Sequence, residues 1–153
     1  MRIQRFDREP LAGHIDPRTY LRANGIEILS PSGAHSVVPY EEIKVLYFVG
    51  DFRGGETRVE RRTFSSRPKL AGLWVRLHFR DGDLLEGVLP NDFLALDTHG
   101  FTITPPDWSI HHRKVFVPRA ALTRAEVLGV VGSAASRPRR KPLPDQQIGL
   151  FES

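Results

Sequence analysis

The sequence predicts a mainly β protein made of two tandem small barrels that arose by internal duplication, followed by a disordered C-terminal tail. Three observations support this fold class. Similar blocks recur in the same order in both halves, apolar residues alternate with polar ones over short runs, and the composition changes abruptly after Val131. A repeat constrains the fold strongly, because each copy has to form the same kind of structure.

The repeat consists of four matching pairs of blocks. They are Leu11-Ala-Gly13 with Leu85-Glu-Gly87, Asn24-Gly-Ile-Glu-Ile28 with His99-Gly-Phe-Thr-Ile103, Val37-Val-Pro-Tyr40 with Phe116-Val-Pro-Arg119, and residues 44–49 with residues 126–131. We therefore expect one module at residues 1–50 and a second at residues 72–132. Residues 51–71 would form a linker with room for an extra strand, and residues 133–153 would form the tail.

The second copy begins with a clear hairpin pattern. Its apolar residues Val75, Leu77 and Phe79 alternate with polar neighbours, which is the period of a half-buried strand. Gly82 suits the hairpin turn because glycine accepts a positive φ. Residues 84–89 would then form the return strand.

The remainder of each copy predicts three more strands and one helical turn. Asn24-Gly25 and His99-Gly100 predict turns before the third strands, while Pro39 and Pro118 end the fourth strands and precede a helical turn. Last strands are expected at residues 45–49 and 127–131. Five strands with one such turn resemble the SH3-like and Sm-like barrels. About fifty residues bury only a marginal core, so we expect the copies to pack together, for example through their edge strands.

A second resemblance concerns the body of the chain. Ser66-Arg-Pro-Lys69 and Gly72-Leu-Trp-Val75 are similar to a pattern in an uncharacterised bacterial family with tandem small barrels. This resemblance implies no activity.

Composition narrows the functional classes. The longest apolar runs are too short to span a bilayer, and the first five residues lack the apolar core of a signal peptide. The absence of cysteine excludes disulfides and thiolate metal sites and fits a cytoplasmic protein. We expect no membrane contact, no metal and no cofactor.

Basic residues are concentrated in two places, although the net charge is only +4. One group lies in the tail, and the other lies in and after the linker, near Phe64 and Trp74. Small barrels bind single strands by placing aromatic rings beside cations, so these groups could contact DNA or RNA. The alternative is that the aromatic rings pack inside the fold. The candidate contacts are Arg61, Arg62, Arg67, Lys69, Arg137, Arg139, Arg140 and Lys141.

The sharpest functional signal lies at the end of the tail. Gln147-Ile148-Gly149-Leu150-Phe151 resembles the bacterial peptide that binds the DNA sliding clamp, although Leu is commoner at the second position and two residues follow the Phe. The resemblance implies that Gln147 makes polar contacts, that Leu150 and Phe151 fill an apolar pocket, and that Ile148 adds an aliphatic contact. The alternatives are that the tail docks on its own barrel or on another partner.

Residues able to carry catalysis form no recognisable signature. His111 and His112 would point to opposite faces of a strand, so exposed loop histidines are favoured over a metal pair. Asp81 and Asp83 are explained by turn chemistry. We therefore predict a non-enzymatic adaptor that docks on the sliding clamp in DNA replication or repair. A nucleic-acid-binding barrel and a regulatory module that binds a protein or small ligand are alternatives, and a homo-oligomer is left open.

Overall fold

The computed structural model describes residues 1–48, 62–106 and 114–132, which form a mainly β structure, as predicted. The division into two barrels stays a prediction. The described elements are ten strands and three 3-10 helices (η). They are β1 (Arg2–Arg5), β2 (Leu11–Ala12), β3 (Gly25–Leu29), β4 (His35–Pro39), η1 (Tyr40–Glu42), β5 (Ile43–Tyr47), β6 (Gly72–Phe79), β7 (Leu84–Leu89), η2 (Phe93–Ala95), β8 (Gly100–Ile103), β9 (Val115–Pro118), η3 (Arg119–Ala121) and β10 (Leu122–Val131).

Strand pairing follows the same scheme in both halves. The first strand pairs antiparallel with the second and with the last, and the third pairs with the fourth. The registers also correspond, since Ile3 lies opposite Leu46 in the first half and Leu77 lies opposite Ala125 in the second. Each half therefore has the strand order expected of one small module, while the duplication itself stays a prediction.

The last strands show where the sequence comparison differs from the structure. In both β5 and β10 the register shifts just after the 3-10 helix, which leaves Lys44 and Thr123 outside the ladder. This makes Ile43–Tyr47 equivalent to residues 122–126, whereas the sequence match had paired residues 44–49 with residues 126–131. The three-residue difference arises because β10 continues beyond the equivalent of β5 with further apolar residues that resemble it.

A short strand pair joins the two halves into one sheet. Leu46 and Tyr47 of β5 lie opposite Phe116 and Val115 of β9, so the sheet has the order β2-β1-β5-β9-β8. The strands β10-β6-β7 form a second sheet and the strands β3-β4 a third. Single bridges connect these sheets to the central one, from His14 to Leu29 of β3 and from Val88 of β7 to Thr104, so β4 and β10 are the outermost strands.

The two cores lie on opposite faces of this central sheet. One face of β5 contributes Val45 and Tyr47 to the core of the second half, and the other face contributes Leu46 to the core of the first half. The strand β9 behaves in the same way, since Phe116 enters the first core. Both strands are consequently buried on both faces. We expected the halves to pack together, and in the structure they do so through the pairing of β5 with β9.

Two glycines have a different role from the predicted one. Gly25 and Gly100 are the first residues of β3 and β8, and neither has a positive φ. A Cβ atom at either position would overlap the carbonyl oxygen of Val38 or Val117, well inside 3.0 Å. Glycine is needed there because the paired backbones approach closely.

Candidate functional site

Several predicted site residues lie outside the described residues. This holds for the clamp-docking residues Gln147, Ile148, Leu150 and Phe151, for the basic tail residues Arg137, Arg139, Arg140 and Lys141, and for Arg61, His111 and His112. Their predicted roles stay predictions.

The turn between β6 and β7 holds a charged cluster that links the halves. The Lys44 Nζ atom donates to Asp81 Oδ2 at 2.6 Å and also to Asp83 Oδ2. The Lys44 side chain is only 8% exposed, and Phe79 places its ring centroid 5.2 Å from the ammonium. Burial alone would lower the pKa of Lys44, but the hydrogen bonds with the two aspartates outweigh it and raise this pKa.

The two aspartates thus do more than shape the turn. Gly82 has a φ of +94°, and the Asp83 amide donates to Asp81 Oδ1 at 3.1 Å, as the predicted turn requires. Sequence reasoning missed the ion pair with Lys44, because nothing in the sequence relates residues so far apart. The cluster holds the second-half hairpin against the bulge in β5.

A second charged cluster surrounds Glu86, which is 2% exposed in β7. Its carboxylate accepts from Arg76 Nη2 at 2.8 Å, from Trp74 Nε1 at 3.1 Å and from the Phe64 amide at 3.1 Å. Burial alone would raise the pKa of Glu86, but these donors outweigh it and lower this pKa. The Glu86 amide also donates to the Arg62 carbonyl at 2.7 Å, so this part of the linker is held against β7.

The candidate nucleic-acid contacts that the structure describes are mostly engaged with protein acceptors. Arg62 lies 3.6 Å from an Asp83 oxygen, and Arg67 donates to the Val130 carbonyl. Lys69 is exposed. Trp74 and Phe64 pack edge to face, with ring centroids 6.3 Å apart. This arrangement favours the structural alternative for the aromatic rings.

A cavity of about 460 Å³ lies in the second half and is a candidate ligand site. Its lining is mainly apolar, with two charged and two hydroxyl-bearing residues: Leu70, Ala71, Val88, Leu89, Pro90, Ala95, Leu96, Asp97, Thr102, Thr104 and Lys114. No motif could have revealed it, because its residues come from several strands and loops. All of its lining residues lie between Leu70 and Lys114.

The polar corner of the cavity is formed by Asp97 and Thr102. The Thr102 hydroxyl donates to an Asp97 oxygen at 3.3 Å. Burial, and secondly the charge of Asp97, raise the pKa of the nearby Tyr20 to about 12. The corner can hold a polar group while the rest of the cavity covers an apolar one.

The described residues contain neither a metal-binding cluster nor a membrane-spanning helix. Across residues 1–48, 62–106 and 114–132, no group of three or more His, Asp or Glu side chains could hold a metal ion. Within those segments, no helix is long and apolar enough to cross a membrane.

The fold defines a mainly β protein whose two similar halves share one sheet. The chain belongs to the family of unknown function DUF6982, whose model matches residues 1–129. The match covers all but the last three described residues and ends before the tail. No curated protein and no solved structure matches the chain.

Proposed function

We propose that the protein is a non-enzymatic adaptor that docks on the DNA sliding clamp in replication or repair. The observation that carries this proposal is the peptide at residues 147–151, with its Gln, aliphatic and Leu-Phe positions. It follows a stretch rich in proline and basic residues, a composition that suits a linker better than a folded core. The basic residues would add salt-dependent contacts to DNA within the clamp.

The body supports a scaffolding role. Among the described residues, the two buried charged side chains, Lys44 and Glu86, are both held in ion pairs inside the fold. Such fully engaged groups stabilise a structure and are poorly placed to exchange protons with a substrate. Binding would then depend on a few anchors in the tail, with a Kd on the order of micromolar, or roughly −8 kcal/mol.

The test compares two double variants, each of which replaces one leucine and one phenylalanine by alanine. Binding of the full-length protein to the host clamp is measured by surface plasmon resonance for the wild type and two double variants. Leu150→Ala/Phe151→Ala removes the proposed anchors. Phe93→Ala/Leu94→Ala removes the same side-chain types from η2, where these residues are 83% and 97% exposed.

The expected outcome is specific to the tail. The tail variant should lose at least about tenfold in affinity, since each buried anchor contributes more than about 1 kcal/mol. The η2 variant should bind as the wild type does. No binding by the wild type, or equal binding by the tail variant, would reject the proposal.

The cavity favours a second function, namely the regulatory binding of a small ligand with an apolar body and a polar end. The fluorescence of anilinonaphthalene sulfonate can test this, because its anionic group suits Lys114 and its rings suit the apolar lining. Ala95→Trp should abolish the signal by filling the cavity, while Leu94→Trp, next to it but outside the lining, should not. A signal that survives Ala95→Trp would contradict this function.

A nucleic-acid-binding function has weaker support in the body, since Arg62 and Arg67 already contact protein acceptors. Titration of single-stranded DNA at several salt concentrations tests it. Steep weakening with salt would support phosphate contacts, and a flat response would argue against them.

A further inference from the structure

The two halves are joined by one pair of strands, and the equivalent of each of these strands in the other half has a free edge among the described strands. Within the chain, the last strand of the first half (β5) pairs with the fourth strand of the second half (β9). The corresponding strands are β10, the last of the second half, and β4, the fourth of the first half. Among the described strands, β10 pairs only with β6 and β4 pairs only with β3.

These counterparts can be specified residue by residue. Strand pairing makes Leu46 equivalent to Ala125, because they lie opposite Ile3 and Leu77. It likewise makes Phe116 equivalent to Val37, because they lie opposite Thr102 and Glu27. The internal pair Leu46–Phe116 therefore corresponds to Ala125 with Val37.

We propose that the protein assembles head to tail with further copies of itself. The strand β10 of one copy pairs antiparallel with β4 of the next, in the register of the β5–β9 contact. Ala125 then lies opposite Val37, and Glu126 lies opposite Ser36. The interaction is heterologous, since each copy contributes a different edge to each of its two contacts.

The exposed apolar residues support this choice of partner. Val37 on β4 is 40% exposed and Ala125 on β10 is also exposed, although both lie in strands. Strands at the edge of a sheet readily pair with another chain, and apolar side chains there favour it. In the equivalent internal contact, Phe116 and Leu46 are fully buried.

The charges on β10 are compatible with this pairing. Arg124 Nη2 lies 3.0 Å from a Glu126 oxygen, so the two charges compensate each other along the strand. Arg67 donates to the Val130 carbonyl and occupies the far end of β10. The part of the edge equivalent to β5, residues 122–126, is the part used in the proposed contact.

Sedimentation velocity of the full chain over a range of concentrations provides the first test. The wild type should sediment as oligomers whose mass increases with concentration. Val37→Lys on β4 and Ala125→Lys on β10 should each give monomers, because each destroys one of the two complementary edges. Leu94→Lys, on the exposed η2 surface, should behave as the wild type does.

Mixing the two monomeric variants distinguishes a head-to-tail contact from a symmetric one. Val37→Lys retains an intact β10, and Ala125→Lys retains an intact β4. An equimolar mixture should form dimers that grow no further. A wild type that is monomeric at all concentrations, oligomers in either lysine variant alone, or a mixture that stays monomeric would overturn the proposal.

Cross-linking tests the register with smaller side chains, in case a lysine disturbs folding. The chain has no cysteine, so single substitutions are free of background. A mixture of Val37→Cys and Ala125→Cys should form a disulfide-linked dimer on mild oxidation, because residues opposite each other in an antiparallel pair lie close enough. Val37→Cys alone, or mixed with Leu94→Cys, should give far less. Equal cross-linking in all three samples would contradict the proposed contact.

Discussion

Removing the two aspartates of the β6–β7 turn is expected to destabilise the protein more than removing the lysine they bind. The perturbations are Asp81→Asn/Asp83→Asn and Lys44→Met. The three charges are buried to very different extents: the Lys44 side chain is 8% exposed, whereas those of Asp81 and Asp83 are 37% and 44% exposed. The group left behind therefore differs between the two variants.

The expected magnitudes follow from this asymmetry. Without the carboxylates, the buried ammonium of Lys44 loses its charged partners, which costs about 3 kcal/mol. Without the lysine, both carboxylates can be hydrated, and the methionine keeps most of the packing of the stem against Phe79. We expect that variant to lose about 1–2 kcal/mol.

Urea denaturation at pH 7 measures both free energies of unfolding. Arg22→Met serves as a control, because its ion pair with Glu27 involves two accessible side chains and should cost less than about 1 kcal/mol. Equal losses in the two test variants, or a larger loss in Lys44→Met, would refute the argument from burial.

The same cluster predicts a dependence on pH. The pKa of Asp81 is lowered in the folded state, so its contribution is present above the unfolded pKa of about 3.9 and is lost as the pH falls through the folded pKa. The pKa of Lys44 is raised, so its contribution is present below about 10.4 and is lost as the pH rises through the folded pKa. Lys44→Met should flatten both limbs of a plot of stability against pH.

Three further predictions concern the core and its close contacts. Glu86→Gln should lower the free energy of unfolding by about 2 kcal/mol at pH 7. Because the folded pKa of Glu86 is lowered, this variant should also lose less stability than the wild type on acidification below about pH 4.3. Thermal melts between pH 3 and 7 measure both effects. Gly25→Ala should lower the free energy of unfolding by about 2–3 kcal/mol, because a Cβ atom there forces the paired backbones apart. Gly33→Ala, which has open space around it but a φ of +93°, should lower it by about 1 kcal/mol. Equal losses in urea denaturation would contradict the role assigned to Gly25. Leu77→Ala should lower the free energy of unfolding by about 3 kcal/mol, because the Leu77 side chain is fully buried. Leu94→Ala should leave it almost unchanged, because Leu94 is 97% exposed. A comparable shift in melting temperature for both variants would contradict the described core.

Local patterns in the sequence were sufficient to predict the hairpin of β6 and β7. Alternation placed Val75, Leu77 and Phe79 on the buried side, and the strand β7 has the predicted bounds Leu84–Leu89. A short helical turn was likewise predicted after Pro39 and Pro118, because proline fixes the backbone locally, and a 3-10 helix lies at each place. Such signals depend only on neighbouring residues.

The pairing of β5 with β9 could not be predicted in the same way. A strand buried on both faces has no alternation, so the apolar run around Leu46 gave no indication of which face met which core. The ion pairs of Lys44 and Glu86 could not be predicted either, because the sequence does not distinguish a buried charged residue from an exposed one. The cavity beside Asp97 depends on tertiary packing alone.

The ladder between β5 and β9 comprises only two residue pairs, and the halves also meet through the Lys44 ion pairs and through side chains of β5 and β9 that enter both cores. Between separate chains, a ladder of this size would form only at high protein concentration. A covalent connection instead keeps the partner strands at an effective concentration on the order of millimolar. Within one polypeptide, the pairing of β5 with β9 is therefore kept at any protein concentration. Two independent halves with the same contact would separate on dilution.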